Sequence, residues 1–163
     1  MNDMTSALYK IAFDGRFLER GFWLYVWEIT PPRGEKLYYV GRTGDSSWIA
    51  AQSPFSRMSQ HLGFTKKSNT LRKHLESQRV NPQRCKFLLI AYGPVLREES
   101  RQQNHYKSRD KIAACEKALA KAMRDRGYEV INEVRSLKPL DKRLFSKVKR
   151  NFAIIIRGLR GHP

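Results

Sequence analysis

The sequence predicts a single α+β domain. Three features predict it: two neighbouring strand-like segments joined by turn residues, a third apolar run further along, and later segments with helical periodicity. At 163 residues the chain can bury one hydrophobic core, and neither an internal repeat nor a low-complexity linker marks an interior boundary. One domain over 1–163 is therefore expected.

The stretch Phe22 to Thr30 is rich in aromatic and β-branched residues, Lys36 to Thr43 is similar, and Pro31-Pro32-Arg33-Gly34 supplies turn chemistry between them. This predicts a β-hairpin. If its loop is centred near Arg33, residues whose numbers sum to about 66 face each other, which puts Tyr25, Trp27, Tyr39 and Gly41 on one face. Ser53-Pro54 reads as an N-cap followed by proline in the first turn, and Phe55, Met58 and Leu62 recur at helical spacing before Gly63. Leu71 to Gln78 predicts a second helix. Lys86 to Tyr92 is a continuous apolar run that suits a central strand, ended by Gly93-Pro94. Leu96 to Arg109 is polar and charged, whereas Asp110 to Arg126 is built from good helix formers and stops at Gly127. The last element, Asp141 to about Ile156, repeats Leu144, Phe145, Val148, Phe152 and Ile155 on one side, with Lys142, Arg143, Lys147, Lys149 and Arg150 on the other.

Composition narrows the partners. With 32 Lys and Arg against 15 Asp and Glu, the formal charge is +17, well beyond what solubility needs, and such a surplus concentrates polyanions around the protein. Nucleic acid is the polyanion of choice. No apolar run approaches the roughly 18 residues of a membrane span, and Met1 to Lys10 has no apolar signal core, so the expectation is a cytoplasmic protein without a membrane partner. Cys85 and Cys115 lack Cys-x-x-Cys or His partners at ligand spacing and read as small core residues rather than a zinc site or a disulfide.

Glu116 is the most informative residue. It lies four residues after Ile112 and three before Leu119, so a carboxylate interrupts the apolar stripe of its helix. A charge in such a place needs a compensating cation, either an arginine, a lysine or a metal; the bland alternative is an edge position paired with Lys117 or Lys121, or solvated. Arg57 and His61, four apart, share one helix face. They fit either a solvated surface pair or a phosphate-binding guanidinium beside a proton acceptor. Tyr25, Tyr38 and Tyr39 fit ordinary strand aromatics as well as catalytic phenols.

The order of these residues resembles the GIY-YIG nuclease family. The first triplet appears as Trp23-Leu24-Tyr25, with Trp23 in place of glycine, and the second as Tyr39-Val40-Gly41, with valine for isoleucine. Arg57 and His61 follow at the family spacing, then Glu116 as the metal-binding glutamate and Asn132 as the asparagine after it. The resemblance covers about Phe22 to Asn132, a motif-bearing core of about 20–134 followed by a basic extension of about 135–163. The interval from Gly41 to Arg57 is longer than the family's compact version, with Asp45 to Gln52 as an insertion.

The resemblance implies a small antiparallel three-stranded sheet flanked by helices, and an endonuclease that hydrolyses DNA phosphodiesters to 5′-phosphate and 3′-hydroxyl ends. Such enzymes serve phage, mobile-element, restriction or DNA-processing roles. Glu116 would hold one Mg²⁺, with Mn²⁺ as a substitute, since a hard ion that keeps its waters accepts few protein ligands. Arg57 would contact the scissile phosphate, Tyr25 or Tyr39 would activate water with His61 as proton acceptor, and Gly41 and Asn132 would support the site. Double-stranded DNA is the expected substrate; a double cut would need a homodimer or sequential nicks. Lys142, Arg143, Lys147, Lys149 and Arg150 either solvate a helix packed on the domain or extend the DNA footprint through phosphates. The competing class is a non-catalytic DNA- or RNA-binding protein that keeps the fold, which the charge permits but which gives Glu116 no role.

Overall fold

The structure, a computed structural model, describes residues 6–66 and 69–161; residues 1–5 of the Met1 to Lys10 segment lie outside them. The class is α+β, and the hairpin is its centre. Strand β1 (Phe22–Thr30) pairs antiparallel with β2 (Leu37–Arg42), and Tyr25 faces Gly41 while Trp27 faces Tyr39, the register expected from the turn. Strand β3 (Lys86–Leu96) pairs antiparallel with the other edge of β1. A fourth strand, β4 (Glu129–Val130), adds to β2 in parallel, so the sheet is mixed, with order β3-β1-β2-β4. Two residues are too few to show a period of their own, which hid β4 in the sequence.

The sheet lies between two helical layers. Leu24, Val26, Tyr38, Val40 and Ile90 face α3 (Gln102–Arg124) and α4 (Lys142–Phe152), packing on Ile112, Leu119, Met123, Val148 and Phe152. On the other face Tyr25, Trp27, Ile29 and Tyr39 meet α1 (Pro54–Leu62) and α2 (Thr70–Ser77) through Met58, Leu62, Leu71 and Leu75. Burial on both faces explains why β1 carries an almost unbroken aromatic and aliphatic run.

Four sequence expectations are corrected. Lys86 to Tyr92 is an edge strand, not a central one, and its exposed positions alternate: Lys86 and Leu88 lie on the open side. The strand also continues past Gly93-Pro94 to Leu96, because a register irregularity opposite Phe22 to Leu24 absorbs the pair. At an edge, proline's missing N–H costs no ladder bond. Helix α3 begins at Gln102, ahead of Asp110. Its first turns mix good helix formers (Gln102, Gln103, Lys107, Arg109) with weaker ones, and buried His105 anchors them by packing on Phe22 with ring centroids 5.3 Å apart. Finally, α4 ends at Phe152, and the chain turns so that Ile156 and Leu159 rejoin the core. The basic segment is thus an integral wall of the domain, with Lys142, Arg143, Lys147 and Arg150 exposed and Lys149 half-buried. Among the described residues none of the five takes part in an ion pair. Cys115 is buried in the core and Cys85 packs at the edge of the second cluster, both as free thiols.

Candidate active site

The site is assembled from both helical layers around the end of the hairpin. Ser53 accepts a hydrogen bond from the backbone N–H of Ser56 at 3.2 Å and Pro54 opens the first turn, which starts α1 where the sequence places it. From this helix His61 turns inward and is 2% exposed. Its Nε2 lies 2.6 Å from the Tyr25 hydroxyl, and its ring packs against Tyr39 with centroids 5.0 Å apart. One turn earlier on α1, Arg57 donates to Gln60 Oε1 and to Asp45 Oδ2, both at 3.0 Å, and leaves its buried Nε without a partner.

Gly41 makes room for this arrangement. Tyr25 lies directly across from it, and a Cβ at Gly41 would stand 2.5 Å from the Tyr25 hydroxyl oxygen. No side chain other than hydrogen fits under that ring. Asn132 works on the backbone: its Oδ1 accepts from Val40 N at 3.0 Å and its Nδ2 donates to Val40 O at 2.7 Å. It ties the segment after β4 to β2 at Val40, within the Tyr39-Val40-Gly41 triplet, and its side-chain hydrogen bonds among the described residues go to this backbone and not to the phenols.

Glu116 arrives from α3, on the opposite layer. Neither lysine neighbour pairs with it: Lys117 donates to Ser136 O at 2.7 Å and Lys121 pairs with Asp125 at 2.6 Å. Its partner is Arg42, whose Nε donates to Glu116 Oε2 at 2.8 Å. Burial is the larger influence on the carboxyl and pushes its pKa up to about 7, against the lowering pull of Arg42. One carboxylate oxygen is held by Arg42. The other has no hydrogen-bond donor among the described residues.

The phenols and the imidazole carry the marks of the same burial. Desolvation, followed by the Glu116 charge, raises Tyr39 to about 12. Tyr25 is raised further by its burial, with Arg57 pulling the other way. Burial and then Arg57 lower His61 to about 4, so at neutral pH it is an uncharged acceptor. A depressed histidine pKa stabilises the fold above the unfolded value of 6.5, and that contribution is lost as pH falls through about 4. We expect wild type to lose on the order of 3 kcal/mol more than His61→Gln between neutral pH and pH 4. Urea unfolding at a series of pH values measures this, and parallel curves for the two proteins would remove His61 as the source.

The predicted residues Tyr25, Tyr39, Gly41 and His61 are thus in contact through the Tyr25 and His61 rings, while Arg57, one turn from His61, and Glu116, from the other layer, both act on the two phenols through their charge. Lys142, Arg143, Lys147, Lys149 and Arg150 are on α4, a separate element. The sequence reading missed two charged residues. Arg42 follows Gly41 on the face of β2 that alternation assigns to Leu24, Val26, Tyr38 and Val40, so a strand charge aimed at the Glu116 helix was its signal. Asp45 follows Gly44, which turns the chain out of β2 with φ +75°. Its position inside the apparent insertion gave no signal of a pairing with Arg57.

Glu116 has one carboxylate oxygen uncommitted, a hard donor of the kind that would hold a Mg²⁺ ion. Among the described residues no group of three or more His, Cys, Asp or Glu surrounds it, so most ligands of such an ion would be water or substrate. No protein-family model, curated protein or solved structure matches the chain.

Proposed function

We propose that this protein is a metal-dependent endonuclease of the GIY-YIG type that hydrolyses DNA phosphodiesters. What carries the reading is a single juxtaposition: a buried phenol hydrogen-bonded to a neutral imidazole, beside a guanidinium, with a carboxylate from another helix in the same electrostatic neighbourhood. The charge of +17 supports a polyanionic substrate.

Each demand of the reaction has a group. In the tautomer that carries its proton on Nδ1, His61 accepts the Tyr25 phenolic hydrogen at Nε2, which turns the phenol oxygen into an acceptor for the proton of an attacking water. Tyr25 takes the role of base over Tyr39 because it holds this acceptor, while the Tyr39 hydroxyl bonds to no protein group among the described residues. Arg57 exchanges Asp45 for two oxygens of the scissile phosphate, a bidentate pairing that guanidinium geometry favours. Glu116 would hold Mg²⁺ or Mn²⁺, which when bound supplies charge neutralisation at the phosphate and the leaving oxygen. Arg42 keeps the Glu116 carboxylate in place. The exposed bases of α4, Lys142, Arg143, Lys147 and Arg150 with Lys149 beside them, contact flanking phosphates and make binding salt dependent.

Purified protein incubated with supercoiled plasmid is expected to nick it with Mg²⁺ and not with chelator, and Arg57→Ala is expected to cut about 10²- to 10³-fold more slowly. Ligatable ends would identify 5′-phosphate and 3′-hydroxyl products. Retained binding with no cutting in Mg²⁺ or Mn²⁺ would instead mark a nucleic-acid-binding protein without activity.

A further inference from the structure

The segment between β2 and α1, the part that departs from the family spacing, encloses a cavity of about 410 Å³ lined by Arg20, Asp45, Trp48, Gln52, Ser56 and Arg57, with others. Three observations single it out. Trp48 is 74% exposed, whereas Trp23 and Trp27 are 4% and 3% exposed. A large flat ring open to solvent at the cavity can stack on a planar partner. Secondly, the loop is held in place: Gln102 Nε2 bonds Ser47 O at 2.5 Å, His105 Nε2 lies 2.9 Å from Ser46 O, and Trp48 N donates to Ser46 Oγ at 3.0 Å. Arg20 Nε and Glu98 Oε1 fasten Ala51 by its O and N, both at 3.1 Å. Thirdly, two of the lining residues keep buried polar atoms with no partner, the Gln52 Oε1 acceptor and the Arg57 Nε donor. Buried donors and acceptors without partners are costly, and a ligand seated against these two residues would offer them partners.

We infer that residues 44–53 form a binding site for one unstacked nucleobase of DNA, with its face on Trp48, its edge toward Gln52 and its phosphate at Arg57. The inference rests on the nuclease reading of Arg57 and names the substrate class for that site: DNA with an unpaired nucleotide, such as a flap, a loop or a single strand. A planar aromatic is the partner that Trp48 fits, because base stacking on an aromatic side chain is strong and indifferent to sequence. The polar edge groups suit a base rather than an apolar ligand, since the Watson–Crick edge of every unpaired base carries both a donor and an acceptor. In a closed duplex the face of each base is covered by its neighbours, so the site discriminates by structure.

The test is binding without divalent metal, so that cutting plays no part. Wild type and Trp48→Ala are titrated with a short thymidine oligomer and with a blunt duplex of the same length. We expect the substitution to weaken oligomer binding roughly tenfold or more and to leave duplex binding unchanged. Because the other two tryptophans are buried, the oligomer should quench wild-type emission and leave that of Trp48→Phe unquenched. Oligomer binding by Trp48→Ala at wild-type strength overturns the inference, and normal plasmid cutting by that variant then leaves the nuclease reading standing. If wild type binds neither DNA, both fall together.

Discussion

Glu116→Ala is expected to abolish plasmid cleavage, with a fall on the order of 10³-fold, while the protein stays folded and binds DNA. In the proposed reading the carboxylate is the oxygen donor for a divalent ion, and Arg42 is already bound through one oxygen. Removing it also strands a half-buried guanidinium whose Nη1 has no partner, which costs about 1–3 kcal/mol. Glu116→Gln separates the two effects, since the amide oxygen still accepts from Arg42 but gives a metal no negative charge. It should therefore stay folded, at least as stable as wild type near neutral pH, and lose cutting. A second readout is independent of catalysis. Burial raises the Glu116 pKa from 4.5 to about 7, so its contribution to stability is full below 4.5 and is lost as pH rises through about 7. Metal binding needs the ionised form, hence Mg²⁺ should raise the unfolding temperature more at pH 8 than at pH 6, and this difference should vanish in Glu116→Gln. Equal cleavage by wild type and both variants would sink the assignment of Glu116.

Gly41→Ala should be nearly as damaging, although it adds one methyl group. That methyl would stand 2.5 Å from the Tyr25 hydroxyl, so the ring must move, and the 2.6 Å bond to His61 goes with it. Tyr25 is 1% exposed, in the buried cluster that also holds Trp27 and is packed by Met58 and Leu62, which leaves it little room to yield. Overpacking of this kind costs about 1–3 kcal/mol, and displacement of a catalytic group by about 1 Å costs about 10² in rate. Gly15→Ala is the control, because a Cβ there meets nothing within 4 Å. Thermal unfolding and cleavage rates measured on both variants decide the point: wild-type activity in Gly41→Ala would mean that Tyr25 needs no fixed place.

The two substitutions act on opposite faces of one sheet, and that placement explains how a small domain brings together distant residues. Alternation along β2 sends Tyr39 toward α1 and Arg42 toward α3, and Gly41 between them carries no side chain to close the gap. Tyr25 fills the space that Gly41 leaves, so the phenol layer and the Glu116 layer interact around the hairpin's end. Asp45 acts in the same way on Arg57: it neutralises a guanidinium that would otherwise be half-buried alone, and in the proposed reading it is the group that a phosphate displaces.

Local chemistry wrote much of this into the sequence. The hairpin and its register were legible because Pro31-Pro32-Arg33-Gly34 sets the turn and aromatic strands follow on either side. Ser53-Pro54 marked the start of α1, and the i, i+4 spacing of Arg57 and His61 placed both on one side of it. The carboxylate in the Glu116 stripe announced a partner without naming it. What only the tertiary structure decided is who meets whom. Arg42 is 74 positions from Glu116, and no period or cap relates them. The edge position of β3, the two-residue β4 and the early start of α3 likewise depend on neighbours: an apolar run looks the same at the centre or the edge of a sheet, and polar helix turns form when a buried His105 fixes them. Propensity and periodicity act over a few residues, whereas ion pairs, sheet order and the cavity beside Trp48 arise from packing between segments far apart in the chain.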